Sequence, residues 1–139
     1  MSAVTLVVRR VLRAPIARVW SAWTRADAIA TWWGPRPVTC CGAEVDLRVG
    51  GRYRIGNRFP DGRELWIAGE FEVVDPPRRL VYSWTVGDGP TERVQVRFEP
   101  RGDATEIVIA HEKILDEPTR AGHEKGWEGC LDGLTGWLA

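Results

Sequence analysis

The middle of the sequence alternates short apolar runs with closely spaced turn signals, and this pattern restricts the fold more than any other feature. Between about residues 44 and 112, turn signals occur at Gly50-Gly51, Asp61-Gly62, Pro76-Pro77, 87–90 and 101–103. Connections this short join antiparallel strands. Together with the β-branched run Val4–Leu12, the pattern predicts six or seven strands in one sheet. Leu80, Tyr82 and Trp84 alternate, so one face of that sheet is apolar and must be covered.

Two short helices are predicted after the first strand. Ala14-Pro15 precedes an apolar stripe at helical spacing that runs from Ile16 to Trp23, and proline is tolerated in a first helical turn. Thr24 and Asp27 resemble a capping box for the second helix. The segment Trp32-Trp33-Gly34-Pro35 should end it, because glycine and proline stop helices.

A single long helix is predicted at the end of the chain, beginning near Asp116 and Pro118 and reaching Leu138. It carries an apolar stripe made of His123, Trp127, Cys130, Leu131, Leu134 and Leu138. Gly126 and Gly133 lie beside this stripe, and they indicate either a groove with close backbone approach or a weak helix end. This helix is the only long cover available to the sheet. We therefore expect an α+β domain in which a curved antiparallel sheet wraps around it, with a ligand cavity between them.

Composition narrows the possible functions. The chain of 139 residues should form one domain, 1–139, and its formal net charge is zero, which argues against nucleic-acid binding. Residues 1–63 hold 11 arginines and four acidic residues, whereas residues 64–139 hold eight basic and 15 acidic residues. The two halves could pair internally or present a basic face, and we favour pairing.

The remaining compositional signals concern compartment and interior. Three cysteines, two of them adjacent, do not make a disulfide framework and fit a reducing cytoplasm. We see no secretory signal or membrane-spanning run, so we expect a cytoplasmic protein without a membrane partner. Eight of the 13 aromatic residues are tryptophan, which predicts a wide apolar interior with a few polar groups.

An ordered set of short motifs resembles a known family. The set includes Arg13-Ala14-Pro15, Trp32-Trp33-Gly34-Pro35, Gly50-Gly51-Arg52-Tyr53, Leu80-Val81-Tyr82-Ser83-Trp84, His111-Glu112 and His123-Glu124-Lys125-Gly126-Trp127. In order, these are similar to the START-like, helix-grip (SRPBCC) superfamily, and within it to homologues of the ATPase activator of the ninety-kilodalton heat-shock chaperone. The resemblance implies the helix-grip fold. It implies function weakly, because this fold hosts many activities. Co-chaperones of the family carry a further docking domain, for which this chain has no room, so we do not expect a chaperone partner.

Candidate site residues follow from the predicted cavity. We expect ligand contacts from Trp33, Arg54, Trp66, Tyr82, Trp84, His123 and Trp127. His111 and His123 are weak candidates for catalysis, and no spacing predicts a metal site or any other cofactor. An inward carboxylate among Glu64, Glu70, Glu72 and Glu106 could also serve as an acid or base, but we favour solvent-facing strand positions for them.

Three hypotheses for function remain open from sequence. The first is a module that binds a small apolar or aromatic molecule in the cavity. The second is a cavity enzyme of the cyclase, dehydratase or hydrolase kind, in which a histidine or glutamate moves protons. The third is an interaction module acting on the chaperone ATPase. An exposed sheet edge leaves a homodimer open as well.

Overall fold

A computed structural model describes residues 3–34 and 36–139. Its elements occur in the order β1 (Val4–Leu12), α1 (Ile16–Thr24), α2 (Ala26–Trp32), β2 (Thr39–Val45), β3 (Arg52–Arg58), β4 (Glu64–Asp75), β5 (Arg79–Val86), β6 (Glu92–Arg101), β7 (Ala104–Ile114) and α3 (Glu117–Leu138). The predicted α+β class and helix-grip architecture are confirmed, with one seven-stranded sheet, two short helices after β1 and one long final helix.

The sheet is antiparallel throughout, with strand order β1-β7-β6-β5-β4-β3-β2. Every strand after β2 pairs with the one before it, as short hairpin connections require. The exception is β1, which pairs with β7 and makes the first and the last strand neighbours. Helix α3 packs against β1 and β7, and α2 packs between α3 and β2.

Alternation along the strands sends one set of side chains to the covered face. On β6, Val94, Val96 and Phe98 are buried there, and on β7 the same is true of Ile107 and Ile109. The stripe predicted for α3 meets this face, because Trp127, Cys130, Leu131, Leu134 and Leu138 are all buried. The core therefore lies between the concave face of the sheet and the helices.

The residues that cap the helices agree with one prediction from sequence and contradict another. Asp116 caps α3 by accepting a hydrogen bond from the Thr119 backbone N–H at 2.9 Å, as its position before the helix predicts. The predicted capping box at Thr24 and Asp27 is wrong. Arg25 is the N-cap residue of α2 without a side-chain bond, and the Thr24 hydroxyl donates back to the Trp20 carbonyl. Pro35, predicted to help end α2, lies outside the described residues.

The acidic row on α3 is partly met by the basic half of the chain. Arg10 on β1 donates to Glu128 at 2.9 Å and to Asp132 at 3.0 Å, so it joins the first strand to the last helix. Glu124, the next acidic residue along the helix, pairs locally with Arg120. Internal pairing of the two halves is thus present at this contact.

Candidate functional site

Two pockets open between the sheet and the helices, and they share the walls Trp33 and Trp84. The inner pocket, about 30 Å³, is lined by Trp23, Ile29, Trp32, Trp33, Val45, Tyr53, Ile55, Phe71, Leu80, Tyr82 and Trp84. A single water needs roughly 10–15 Å³ of such space. The inner pocket is therefore almost filled by its own aromatic walls.

The second pocket, which we call the helix pocket, is larger. Its volume is about 220 Å³, and it is lined by Trp33, Asn57, Leu65, Ile67, Trp84, Val86, Gly122, His123, Gly126, Trp127 and Cys130. An apolar cavity of about 150 Å³ can hold a benzene molecule. The helix pocket therefore has room for a molecule with one substituted ring.

Missing side chains on α3 create the helix pocket. Gly122 and Gly126, one helical turn apart, both line it, and a Cβ added at either would meet no atom within 4 Å. Gly133 serves another purpose, because a Cβ there would lie 2.5 Å from the Trp32 carbonyl oxygen. The predicted groove and the predicted close backbone approach are therefore both present. Gly126 leaves space, and Gly133 permits close approach of α3 to the end of α2.

A buried polar cluster forms one side of the helix pocket. Glu92, the first residue of β6, accepts hydrogen bonds on Oε1 from the Nε2 atoms of His111 and His123, each at 2.8 Å. The Trp127 indole donates to His111 Nδ1 at 3.0 Å, and the two imidazole rings stack with centroids 4.4 Å apart. Strand register brings these residues together, because Glu92 lies opposite Trp84 and His111 opposite Val94.

The indole of Trp127 determines the hydrogen positions in this cluster. An indole N–H can only donate, so His111 Nδ1 must be the bare, accepting nitrogen. The hydrogen of neutral His111 is then on Nε2 and points at Glu92. Burial, and to a smaller extent the neighbouring His123, lower the pKa of His111 to about 3. His111 is therefore neutral across the physiological range.

Glu92 experiences opposing influences. Burial raises the pKa of its carboxyl group, while the charge and hydrogen bond of His123 lower it. The side chain of Glu92 is 5% exposed, and that of His123 is 20% exposed. His123 is thus the ionisable member of the cluster that lines the pocket and is partly exposed to solvent.

The spacing of the cluster also fits a metal site, but its hydrogen-bonding chemistry does not. Ligand atoms of Glu92, His111 and His123 lie within 4.8 Å of one another. A histidine that binds metal through Nε2 carries its hydrogen on Nδ1 and donates it to an acceptor. Here the Trp127 N–H already points at His111 Nδ1, so two hydrogens would compete for one position. The three side chains fit a hydrogen-bonded relay better than a metal centre.

The structure brings five of the seven predicted ligand contacts to the pockets and excludes two. Trp33 and Trp84 line both pockets, Tyr82 the inner one, and His123 and Trp127 the helix pocket. Whether they bind a ligand stays a prediction.

Arg54 and Trp66 correct the sequence analysis, because they lie on the opposite, outer face of the sheet. The exposed Arg54 guanidinium lies 4.5 Å from the centroid of the Trp66 ring and pairs with Glu44. Trp66 covers Gly42 and Gly56 there. Each is next in sequence to a residue that points inward, and adjacent residues of a strand point to opposite faces of the sheet.

Alternation could have identified two residues that the sequence analysis missed. Extending the inward series of Val94, Val96 and Phe98 back by one step gives Glu92, which is 4% exposed. Extending the series of Tyr53 and Ile55 forward gives Asn57, which accepts a hydrogen bond from the Trp33 indole at 2.9 Å. The four carboxylates considered from sequence, Glu64, Glu70, Glu72 and Glu106, are instead exposed or pair with arginines outside the core.

The two tyrosines and the pocket cysteine are not poised for ionisation. Burial raises the pKa values of Tyr53 and Tyr82, and the Tyr53 hydroxyl donates to the Ser83 carbonyl at 2.7 Å. Burial also raises the pKa of the Cys130 thiol to about 12, so it stays protonated at neutral pH. Cys40, Cys41 and Cys130 are free thiols.

No helix in residues 3–34 and 36–139 is both long enough and apolar enough to cross a membrane.

The comparisons with known proteins agree with this architecture. The profile of the family described as Activator of Hsp90 ATPase homolog 1-like protein matches residues 13–139. Among curated proteins, no relative matches the chain. A solved protein from Chromobacterium violaceum is 27% identical, with a TM-score of 0.89 over 96% of each chain.

Two further solved structures share the fold. CalU16 from Micromonospora echinospora is 28% identical, with a TM-score of 0.77 over 99% of this chain and 77% of that one. An AHSA1 protein from Silicibacter pomeroyi is 21% identical, with a TM-score of 0.88 over 97% of each chain, which is evidence for the fold alone.

Proposed function

The chain belongs to the family of Activator of Hsp90 ATPase homolog 1-like proteins, and on that premise we propose that it binds a small, apolar, ring-containing molecule in the helix pocket. One observation carries the proposal: a pocket of about 220 Å³ walled by Trp33, Trp84 and Trp127 lies where α3 lacks two side chains. Such pockets hold a ligand by apolar contact and orient it with a few polar groups. Here the polar groups are His123 and Asn57.

The size of the pocket sets the expected affinity. A single ring buries about 200 Å². At ~25 cal/mol per Å² this contributes about 5 kcal/mol. That free energy corresponds to a Kd on the order of 0.2 mM before any hydrogen bond is counted. We therefore expect weak binding of simple rings and tighter binding of a ring with matching polar groups.

Tryptophan fluorescence is the direct test, because three tryptophans form the walls. Titration with toluene, indole and naphthalene should change the emission saturably for the compounds that fit. In Gly126→Leu, whose new side chain enters the pocket, the response should be lost. Gly136→Leu is the matched control, because position 136 is also open and on α3 but outside the helix pocket.

The outcome of this pair separates pocket filling from misfolding. Both variants replace a helical glycine and should gain helix stability of about 1 kcal/mol. Saturable binding that survives in Gly126→Leu would contradict the pocket assignment. Absence of any response in the unmodified chain would contradict the proposed function.

A proton-transferring enzyme is the second candidate, and the contact between His123 and Glu92 favours it. The protonated Cys130 gives no support to a covalent mechanism. Bound compounds incubated in D₂O would show deuterium incorporation at an acidic C–H bond if His123 removes that proton, and His123→Phe should abolish it. For the chaperone hypothesis, adding the chain to a purified chaperone ATPase should leave the rate unchanged.

A further inference from the structure

Two residues that line the helix pocket, Trp84 and His123, each have a ring nitrogen without a hydrogen-bond partner within residues 3–34 and 36–139. Trp84 is only 6% exposed, and its indole Nε1 is buried and makes no hydrogen bond. His123 uses Nε2 to reach Glu92, and no hydrogen bond of its Nδ1 occurs within the described chain. A buried N–H without an acceptor is costly, so this pocket invites a group that satisfies it.

The hydrogen-bond chain fixes the character of His123 Nδ1. Trp127 can only donate, so His111 accepts from it and donates to Glu92. Glu92 is thereby the acceptor of the cluster, and His123 Nε2 must carry a hydrogen to complete its bond. In the neutral ring, Nδ1 is then a bare acceptor. Trp127, His111 and Glu92 act as positioning residues for this nitrogen.

The two unpartnered groups have opposite character. Trp84 offers a donor and neutral His123 an acceptor, and their ring centroids are 6.3 Å apart at 81°. A single oxygen that joins the two rings would lie about 2.9 Å from a nitrogen of each. A hydroxyl group satisfies both, because its O–H donates while its oxygen accepts.

We propose that the ligand of the helix pocket is a neutral ring bearing a hydroxyl group, a phenol, whose O–H donates to His123 Nδ1 and whose oxygen accepts from Trp84 Nε1. This inference rests on the proposed function and names the chemical class of its ligand. An aromatic carboxylate fits less well, because it would add a second anion beside the buried Glu92. An ammonium group fits less well, because it would face the Trp84 N–H donor.

Three related compounds test the hydroxyl group, and two of them have nearly the same shape. In p-cresol and p-xylene a hydroxyl replaces a methyl, and 4-methylanisole keeps the oxygen as an acceptor but cannot donate. At about pH 8, above the ordinary pKa of an imidazole and below that of a phenol, p-cresol should bind about tenfold more tightly than either other compound. Calorimetry or fluorescence measures the three Kd values.

Variants locate the effect within the pocket. His123→Phe should reduce the preference for p-cresol over p-xylene from about tenfold to about onefold, and Trp84→Phe should reduce it to a few-fold. Retention of the full preference in His123→Phe would overturn the assignment. Binding of p-cresol and p-xylene with equal affinity to the unmodified chain would overturn this inference and leave the proposed function standing. If no compound binds, both fail.

Nitrogen NMR tests the relay without any ligand. In the ¹⁵N-labelled chain at alkaline pH, both histidines should carry their hydrogen on Nε2, and His123 Nδ1 should show the signal of a bare nitrogen. A hydrogen on His123 Nδ1 would overturn the inference. In Trp127→Phe, His111 should no longer be restricted to carrying its hydrogen on Nε2. A purely structural role for Trp127 would not produce this change.

Discussion

The inner pocket and the helix pocket share two tryptophan walls and one face of the sheet, yet they differ in volume and in the side chains that cover them. The inner pocket has about 30 Å³ of space and the helix pocket about 220 Å³. Two polar groups of the inner pocket have protein partners, since the Tyr53 hydroxyl donates to the Ser83 carbonyl and the Trp32 indole donates to the Ala22 carbonyl. Trp84, which both pockets share, has a buried Nε1 that lacks such a partner in the part of the chain that the structure describes.

The difference arises from what covers the sheet at each end. Tryptophans of α1, α2 and the following residue cover the inner pocket with full side chains, and their rings pack at centroid distances of 5.3–5.6 Å. At the helix pocket, α3 presents Gly122 and Gly126 instead. Similar aromatic walls thus make a packed core in one place and an open pocket in the other, and two glycines account for the contrast.

Adding volume to each pocket should produce the largest difference in stability between them. Ile55 lines the inner pocket and is 6% exposed, so Ile55→Trp should overpack it and destabilise the fold by about 3 kcal/mol. Gly126→Leu adds a side chain to the helix pocket and should leave the fold as stable or about 1 kcal/mol more stable. Urea unfolding measures both. Equal midpoints for the two variants would contradict the assignment of filled and open pockets.

Two tryptophan substitutions should sharpen the contrast in hydrogen bonding. Trp127→Phe and Trp84→Phe remove the same atoms, but only the first leaves a buried acceptor, His111 Nδ1, without its donor. Trp127→Phe should therefore cost about 2 kcal/mol more than Trp84→Phe in the free energy of unfolding. The comparison of the two midpoints is its own control, and a larger loss for Trp84→Phe would be incompatible with the bonding described.

Lowering the pH should reduce the stability that the polar cluster contributes, but not the stability that the inner pocket contributes. His111 has a folded-state pKa lowered to about 3 from the ordinary 6.5, so the unfolded chain binds a proton that the folded chain rejects. Its contribution to stability is complete above pH 6.5 and is lost as the pH falls from there towards 3.

The matched variant for this acid effect is His111→Gln, whose amide can accept from Trp127 and donate to Glu92 without titrating. Between pH 5 and 4, the unmodified chain should lose about 1.4 kcal/mol per pH unit more than the variant. The raised pKa of Glu92 acts in the opposite direction but is present in both chains. Parallel pH profiles of unfolding would show that His111 is not buried in its neutral form.

The smallest expected effect concerns metal ions. Because Trp127 donates to His111 Nδ1, Zn²⁺ or EDTA should leave the melting temperature of the unmodified chain unchanged. In Trp127→Phe the same histidine could carry its hydrogen on Nδ1, and Zn²⁺ should then raise the melting temperature by mass action. A rise of equal size in the unmodified chain would show that the cluster accepts a metal despite the indole.

Much of the fold could be predicted from sequence because it depends on local signals. The turns at Asp61-Gly62 and Pro76-Pro77 set the hairpins, and the stripe through Trp127, Leu131 and Leu134 set the face of α3. The family resemblance, which the profile match confirms, supplied the arrangement of these parts.

Less of the candidate site could be predicted from sequence, because the site depends on strand register and on contacts between residues that are distant in sequence. Glu92 lies 19 residues from His111 and 31 from His123, and nothing local marks the three as neighbours. Trp66 and Arg54 were placed at the cavity although a shift of one residue along a strand puts them on the outer face. The alternation that includes Glu92 and Asn57 was present in the sequence. The missing information was which face of each strand α3 would cover.

The pairing of β1 with β7 has a consequence for the order of assembly. Leu6 lies opposite His111, so strand β1 finds its partner only after about a hundred further residues have been made. Helix α3, which follows β7 in the chain, packs on the same strand β1, where Arg10 donates to Glu128. Contacts this distant in sequence slow folding. The polar cluster needs β6, β7 and α3 together, so during synthesis the helix pocket cannot form before α3 has been made.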